Sequence, residues 1–507
     1  MTPDEANAAA GLQAGETSPQ RTARLLAAIE DGSLAATGLT RLDLSGCGLS
    51  SLPAAIGALT SLEFLNLGEN PLSSLPDTFS RLVNLRILFF LRCEFTVVPE
   101  VLGRMPSLYM LSFKANRVRE VPAASLAPTV GWLILSDNQI ESLPASIGRC
   151  VGMRKLLLAG NRLTNEGLPA EMAALTSLEL VRLADNRLTK IPAWVLTHPT
   201  LAWVALAANP ATDPFADDAH ARAHAEGTGS NPTGGENENG NQRVDVPEMA
   251  WDALGVREDA EPLGRGASGA VYAGVVAAAA AAGVAPGPAA VKVYNHGAKT
   301  SDGRPQDEMA ASVLASRTGC RSIVRTTARF ARRSSGGTSR GLVMEYLRPE
   351  EWRSLGGPPS FDTVTRDVYP AGTRRTVGEV RAIARGMAAA GAALHAAGVH
   401  HGDLYAHNVL FRDERDGVVP AAKLSDFGAA FFYPPGSELG RELERAEVRA
   451  YGVMLEEALA AAEETVVEEE RRTLAAFAAL AERCVGPREG RPSFAVIAAE
   501  VGAPEGV

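Results

Sequence analysis

Leucine returns along the first two hundred residues with a period of about 23, in the pattern L-x-x-L-x-L-x-x-N-x-L-x-x-L-P. Units begin near Leu39, Leu62, Leu85, Leu108, Val130, Met153, Leu178 and Leu201. The L-x-L core of each unit predicts a short strand, because alternate side chains of a strand share one face. Leu62, Leu65 and Leu67 show the inward set of one unit. One unit cannot bury that face alone, so eight in register predict a curved solenoid with a parallel sheet on its concave side. Asn70, Asn116, Asn138, Asn161, Asn186 and Asn209 recur at the turn after the strand, where a side-chain amide can satisfy backbone groups between units. Cys47 and Cys93 take that place in two units. Ahead of the first unit, RTARLLAAIEDG within Ser18 to Ala36 predicts a helix that caps the open end of the stack.

This pattern resembles the leucine-rich repeat family. The resemblance implies an α/β leucine-rich-repeat solenoid (horseshoe) over 39–210, with a helical cap over 1–38. Positions two, three and five of each strand would then face the concave side, where the chain places Phe64, Ile87, Phe89, Met110, Trp132, Ile134, Leu157 and Trp203. An apolar stripe of that size predicts a protein-contact surface centred on Trp132.

The period lapses after Asn209. His224 to Val244, HAEGTGSNPTGGENENGNQRV, is poor in apolar residues and rich in Gly, Asn and Glu, which predicts a flexible polar linker over 211–250. Such a tether keeps whatever the repeats bind near the second half of the chain.

The second half carries chemistry. LGRGASGAVY, from Leu263 to Tyr272, spaces Gly264, Gly266 and Gly269 so that backbone N–H groups can approach phosphate oxygens without a Cβ in the way. Lys292 follows in the apolar strand AAVKV, Glu308 lies in the helical stretch DEMAASVLA, and GLVMEYL reads as a strand entering a hinge. HHGDLYAHN, from His400 to Asn408, and LSDFG, from Leu424 to Gly428, add Asp403, Asn408 and Asp426, which can supply a base and two magnesium ligands. In this order the motifs, with RCVGPREGRPSF near the end, resemble a protein kinase catalytic domain of the tyrosine-kinase-like serine/threonine branch, covering 251–502.

The resemblance implies an α+β bilobal fold and use of ATP and Mg2+. By position, Asp403 would orient or deprotonate the acceptor hydroxyl, Asn408 and Asp426 would hold magnesium, and Lys292, paired with Glu308, would clamp the phosphates. Val271, Ala290 and Leu410 would sandwich the adenine, with Met344 behind it and Glu345 to Leu347 hydrogen-bonding its edge. As a whole the chain is similar to soluble leucine-rich-repeat protein kinases of microbes. An ATP- and Mg-dependent serine/threonine kinase whose repeats recruit a protein partner or substrate is the expected function. A nucleotide-binding pseudokinase scaffold and a small-molecule phosphotransferase are the alternatives.

Four departures bear on that choice. Gly402 stands where many kinases have the Arg that docks a phosphorylated loop, so loop phosphorylation is not the expected switch. Tyr405 replaces the lysine that steadies the γ-phosphate, and His407 falls where an imidazolium could substitute for it. About 18 residues separate Gly428 from the Glu447–Gly452 motif, too few for a full activation segment, and no A-P-E anchor is present. Arg491 therefore needs another acid or solvent, with Glu438, Glu442 and Glu444 as candidates, and Ser312 leaves the register of the Glu308 helix open.

Composition narrows the classes further. With 507 residues the chain exceeds one core, and a net charge of −10 argues against general nucleic-acid or membrane-surface affinity. No apolar run of about 20 residues is present; Val275 to Val284 is alanine-rich, too short to span, and reads as a loop insertion between strands. The start lacks a basic and apolar leader, and five widely spaced cysteines suit a reducing compartment, so a cytoplasmic protein is expected.

Overall fold

Each 23-residue unit yields one three-residue strand. A helix, α1 (Ser18–Glu30), precedes β1 (Arg41–Asp43), β2 (Phe64–Asn66), β3 (Ile87–Phe89), β4 (Met110–Ser112), β5 (Trp132–Ile134), β6 (Lys155–Leu157) and β7 (Leu180–Arg182). An eighth strand, β8 (Trp203–Ala205), closes the series. The computed structural model describes residues 18–224, 246–257, 259–266, 268–277, 284–295, 303–334, 337–415 and 417–502. The chain divides into two units, Met1–Trp194 and Val195–Val507. The boundary thus falls before the last repeat, and β8 belongs to the second unit.

In the first unit β1 to β7 pair in parallel, and the middle residue of each strand meets the next: Leu42, Leu65, Leu88, Leu111, Leu133, Leu156 and Val181. All seven are buried, as the alternation predicts. The chain returns through short 3-10 turns after the closing prolines Pro53, Pro76, Pro99, Pro144 and Pro169. Ladder asparagines tie successive units: Asn138 Nδ2 donates to Phe113 O (2.8 Å) and Leu135 O (3.0 Å), while its Oδ1 accepts from Val118 N (2.9 Å). Asn70, Asn116, Asn161 and Asn186 repeat the arrangement. Cys93 keeps one element of it, with Sγ 3.3 Å from Leu67 O. The residue before each ladder position is left-handed, at Glu69, Arg92, Ala115, Asp137, Gly160 and Asp185.

The concave stripe is narrower than the sequence implies. Phe64, Ile87, Phe89, Trp132, Ile134 and Leu157 are half-buried. The Arg41 guanidinium lies 4.1 Å from the Phe64 centroid and the Lys155 ammonium 4.2 Å from that of Trp132, so long basic side chains cover part of the aromatic surface. Met110, between Ile87 and Trp132 in register, is only 4% exposed, and Trp203 is 1% exposed. Neither is part of an open surface.

In the second unit β8 leads to α2 (Asp213–His224), so the linker expected from residue 211 is ordered helix at its start; residues 225–245 lie outside the described residues. The chain continues through β9 (Glu248–Met249), β10 (Gly264–Arg265), β11 (Gly269–Val276), β12 (Gly287–Tyr294), α3 (Pro305–Arg317), β13 (Thr326–Ser334) and β14 (Gly337–Glu345). These strands form a sheet in the order β10-β11-β12-β14-β13-β9, antiparallel except where β9 joins β13. Most of the expected alanine-rich insertion, 278–283, lies outside the described residues.

A largely helical half follows: β15 (Arg353–Ser354), α4 (Val377–Ala396), β16 (Val399–His400), β17 (Val409–Arg412), β18 (Ala421–Leu424), β19 (Phe431–Phe432), α5 (Glu438–Ala460), α6 (Glu468–Val485) and α7 (Phe494–Glu500). Thr376 starts α4 with a capping box to Glu379, Ser437 caps α5 through Gly440 N (3.0 Å), and Ser493 caps α7. The buried flank of α4, with Val380, Ile383, Met387 and Leu394, packs on α5, α7 and β18. That packing borders the loop between β16 and β17, which carries Asp403 and Asn408. Among the described residues no helix is long and apolar enough to cross a membrane.

Candidate functional site

The loop from His401 to Asn408 is held at both ends by short two-stranded pairings, β16 with β19 and β17 with β18. From α5 the buried Glu447 reaches under it, with Oε1 accepting from Gly402 N (2.7 Å) and Oε2 from His401 N (3.3 Å). Burial works against the Glu447 charge, but His400, His395 and His401 outweigh it and hold the carboxyl well below the usual range. His395, His400 and Glu447 form the one cluster of potential metal ligands among the described residues. Glu447 accepts the loop amides, His395 bonds Glu447 (2.8 Å) and the Tyr433 hydroxyl, and His400 Nδ1 lies 3.9 Å from Glu447 Oε2. The cluster therefore anchors the loop.

On that loop Asn408 Nδ2 donates to Asp403 Oδ2 and to Asp403 O, both at 2.8 Å. His401 Nε2 lies 3.0 Å from Ser425 O, joining the loop to the turn that carries Asp426. Asp426 is left-handed (φ 53°), and its Oδ1 accepts from Gly428 N (3.1 Å) and lies 4.0 Å from Lys292 Nζ. Lys292 also contacts Glu308 directly. Burial works against the Lys292 charge, but Glu308 and Asp426 outweigh it and raise its pKa. Residues separated by more than 130 positions thus converge on one ammonium.

The register of α3 turns Glu308 toward Lys292, with its serines on satisfied positions. Ser312 and Ser316 bond the carbonyls one turn back (2.9 Å each), and Ser316 Oγ accepts from Thr326 N (2.7 Å), so polar side chains are satisfied where an apolar one was expected. Val271 pairs with Lys292 and Ala290 with Met344 across the sheet, while Leu410 lies on β17 opposite Lys423; all are half-buried. Glu345, the last residue of β14, pairs with Ala289 in register and donates its N–H to Arg325 O (2.9 Å), and Leu347 follows just beyond the strand. Gly266 N closes the glycine turn on Gly269 O (2.9 Å), and a Cβ at Gly264 or Gly266 would meet nothing within 4 Å. Asn408 retains its carbonyl oxygen and Asp426 its second carboxylate oxygen, hard donors of the kind a magnesium ion takes.

The departures have partners that the sequence did not reveal. Tyr405 stacks on Trp203 (centroids 4.2 Å, 5° between planes) and on His407 (5.0 Å). His407 Nδ1 lies 2.7 Å from Asp367 Oδ1. Arg491 meets none of the expected acids; its guanidinium donates to Gly486 O (3.1 Å), Arg445 O (3.0 Å) and Pro199 O. Glu442 instead pairs with Arg445 and Arg488, and Glu444 accepts from Phe494 N (2.7 Å). Gly428 is separated from the start of α5 by only residues 429–437. Asp367 and Trp203 could not be found from motif spacing, since they lie about 40 and 200 residues from their partners.

Residues 257–451 match the protein kinase domain family, and residues 37–91 match the leucine rich repeat family. No curated protein matches the chain. Solved structures similar to it include a leucine-rich-repeat protein of Leptospira interrogans (25% identity over 35% of this chain and 57% of that one, TM-score 0.29). A plant peptide hormone receptor, RGFR1, solved in complex with RGF2, is similar at 28% identity over 31% and 26% (TM-score 0.27), and a TDR receptor at 25% over 35% and 33% (TM-score 0.31). The chain spans between about a quarter and a little over half of the length of these structures. It carries a leucine-rich-repeat region followed by a protein kinase domain.

Proposed function

We propose that this chain, with its leucine-rich repeats and protein kinase domain, transfers the γ-phosphoryl group of ATP to a serine or threonine hydroxyl of a protein. The carrying observation is the convergence of Lys292 with both Glu308 and Asp426, which joins three separate motifs at one phosphate-binding cation. Lys292 clamps the α- and β-phosphates under the backbone of Gly264, Gly266 and Gly269. Adenine lies between Val271 and Ala290 on one side and Leu410 on the other, before Met344, with its edge on the Glu345 carbonyl and the Leu347 N–H.

Asp403, oriented by Asn408, accepts the hydroxyl proton as the acceptor oxygen bonds to the γ-phosphorus and the β–γ bridge bond breaks, releasing ADP. Asn408 and Asp426 would hold magnesium, which supplies positive charge to the phosphate oxygens. His407, oriented by Asp367, assists near the transferred group in place of the missing lysine. The protein works in the cytoplasm, consistent with five free thiols. Its repeats recruit a protein partner through Phe64, Ile87, Phe89, Trp132 and Ile134.

Full-length protein with Mg-ATP carrying a labelled γ-phosphate, beside an Asp403→Asn control, tests the reading. Label on the protein or on a generic basic acceptor that requires Asp403 supports it. Mg-ATP binding without label would leave a nucleotide-binding scaffold, the reading favoured by the uncharged Tyr405. Label on sugars, choline or aminoglycosides instead would make it a small-molecule phosphotransferase.

A further inference from the structure

The last repeat is built into the kinase unit at the place where the activation segment is missing. Three arginines of the helical half grip three successive carbonyls of its approach: Arg488 reaches His198 O (3.4 Å), Arg491 reaches Pro199 O, and Arg449 Nε reaches Thr200 O (3.1 Å). These arginines come from α5 and from the turn before α7, where kinases fasten the end of their activation segment. Beyond the grip, Trp203 enters the catalytic loop. Its indole N–H donates to Leu404 O (3.0 Å) and its ring stacks face to face on Tyr405. Gly402 (φ 75°) leaves room for the same strand, since a Cβ there would lie 2.5 Å from Val204 O.

The following helix continues the contact onto α3, with His220 Nε2 2.9 Å from Asp307 Oδ1, one residue before Glu308, and Arg304 3.3 Å from Asp213. One continuous segment therefore touches both the loop that carries the base and the helix that carries the Lys292 partner.

We propose that residues 198–206 act as the activation segment this kinase domain lacks, with Trp203 as a positioning residue that holds the catalytic loop through Tyr405. A kinase normally orders its catalytic loop from a mobile segment after Asp-Phe-Gly; here the ordering part comes from the N-terminal side and is always present. The proposal deepens the kinase reading and rests on it for its rate measurement alone.

The test uses the full chain and the variants Trp203→Ala and Trp203→Phe. In the wild type, amide hydrogen exchange of residues 198–206 and 399–412 should show the same opening and the same urea dependence. Independent opening of 198–206 while the loop stays protected would overturn the proposal, and this measurement needs no variant to fold. Trp203→Ala should speed exchange across 399–412 at least tenfold and lower kcat at least tenfold, with KM for ATP and Mg-ATP affinity within about twofold. Trp203→Phe, which keeps the stack and loses the N–H, should recover most of both. Unchanged loop exchange in Trp203→Ala, or a Phe variant no better than Ala, would refute the positioning role. A wild type that transfers no phosphate would refute the kinase reading only, and the exchange arm would still decide this one.

Discussion

Replacing Gly402 by alanine tests the fit of the last repeat against the loop from His401 to Asn408 with a single methyl group. Two costs act. The residue is left-handed at φ 75°, which costs an L-residue roughly 1–2 kcal/mol. The new Cβ would also lie 2.5 Å from Val204 O and 2.8 Å from Ala429 O, both backbone atoms on packed strands and turns, and such overpacking costs about 1–3 kcal/mol. Stiffening of the unfolded chain returns about 0.4–1 kcal/mol. The net loss is about 1–5 kcal/mol, centred near 3, and that central value is a fall in Tm on the order of 6–12 °C at the usual sensitivity of a large domain.

Gly372 is the control, because it has nearly the same φ of 77° and nothing within 4 Å of its Cβ. Gly372→Ala should cost about 0–1.6 kcal/mol, the strain partly offset by the unfolded-state term, and less than Gly402→Ala by the collision of about 1–3 kcal/mol that it lacks. Thermal unfolding of both variants, followed by intrinsic fluorescence and with and without Mg-ATP, separates strain from collision. Equal shifts for the two alanines would show that nothing presses on Gly402, and the account of its place beside Val204 would fail.

Other measurements reach the rest of the molecule. Lys292→Met leaves the buried Glu308 carboxylate without its partner and should cost about 3–5 kcal/mol in urea unfolding, whereas Lys292→Met with Glu308→Gln should recover a large part of that; equal losses would argue against a tight pair. Burial raises the Glu457 carboxyl to about 7 from an ordinary 4.5, with the Tyr369 hydroxyl (2.8 Å) pulling the other way. The unfolded chain then loses this proton first, so stability should fall between about pH 4.5 and 7, by at most about 3 kcal/mol, and be flat above. Glu457→Gln should remove that slope from a Tm profile across pH 4.5–8, and a profile unchanged by the substitution would refute it. Asn138→Ala strands Val118 N inside the repeats, while Phe113 O and Leu135 O keep donors from Asn116 and Asn161, and should cost about 1–3 kcal/mol in denaturant unfolding; a loss below about 0.5 kcal/mol would show that the ladder is dispensable.

The repeats were legible because their signal is local and repeated. A leucine at strand centres and an asparagine at turns needs only its own unit and the next to make sense, and Leu65 and Asn138 lie where the period puts them. The proximity of Asp403 and Asn408 was legible for a related reason: a turn and two short strands keep their spacing and that of Asp426 fixed, and Asn408 bonds Asp403 at 2.8 Å. Exposure was not legible. Trp203 and Met110 occupy the same strand positions as Phe64 and Trp132, yet they are buried, and strand position alone does not say what packs on a face. The register of α3 was ambiguous because an apolar residue was expected at Ser312, and a serine hydroxyl bonded to its own helix fills that place equally well.

Gly402, Tyr405, the short segment after Gly428 and the unpaired position of Arg491 read from the sequence as separate losses from a kinase. In the structure they share one occupant. A side chain at 402 would collide with Val204, Tyr405 offers the flat face on which Trp203 lies, and Arg491 holds the carbonyl of Pro199. Ala429, at the start of the short 429–437 stretch, shares the Gly402 side of the loop with Val204, since a Cβ at 402 would meet both carbonyls. Each change taken alone weakens a kinase, whereas together they make a socket for a tryptophan two hundred residues upstream. A chain cut at residue 250 to isolate the kinase domain would therefore lose the ring that packs on Tyr405 and the carbonyls that Arg449 and the buried Arg488 and Arg491 bond. Such a fragment should unfold at lower temperature than one beginning at residue 195, and a fragment from 251 that matched the longer one in both Tm and loop protection would contradict the shared-occupant account.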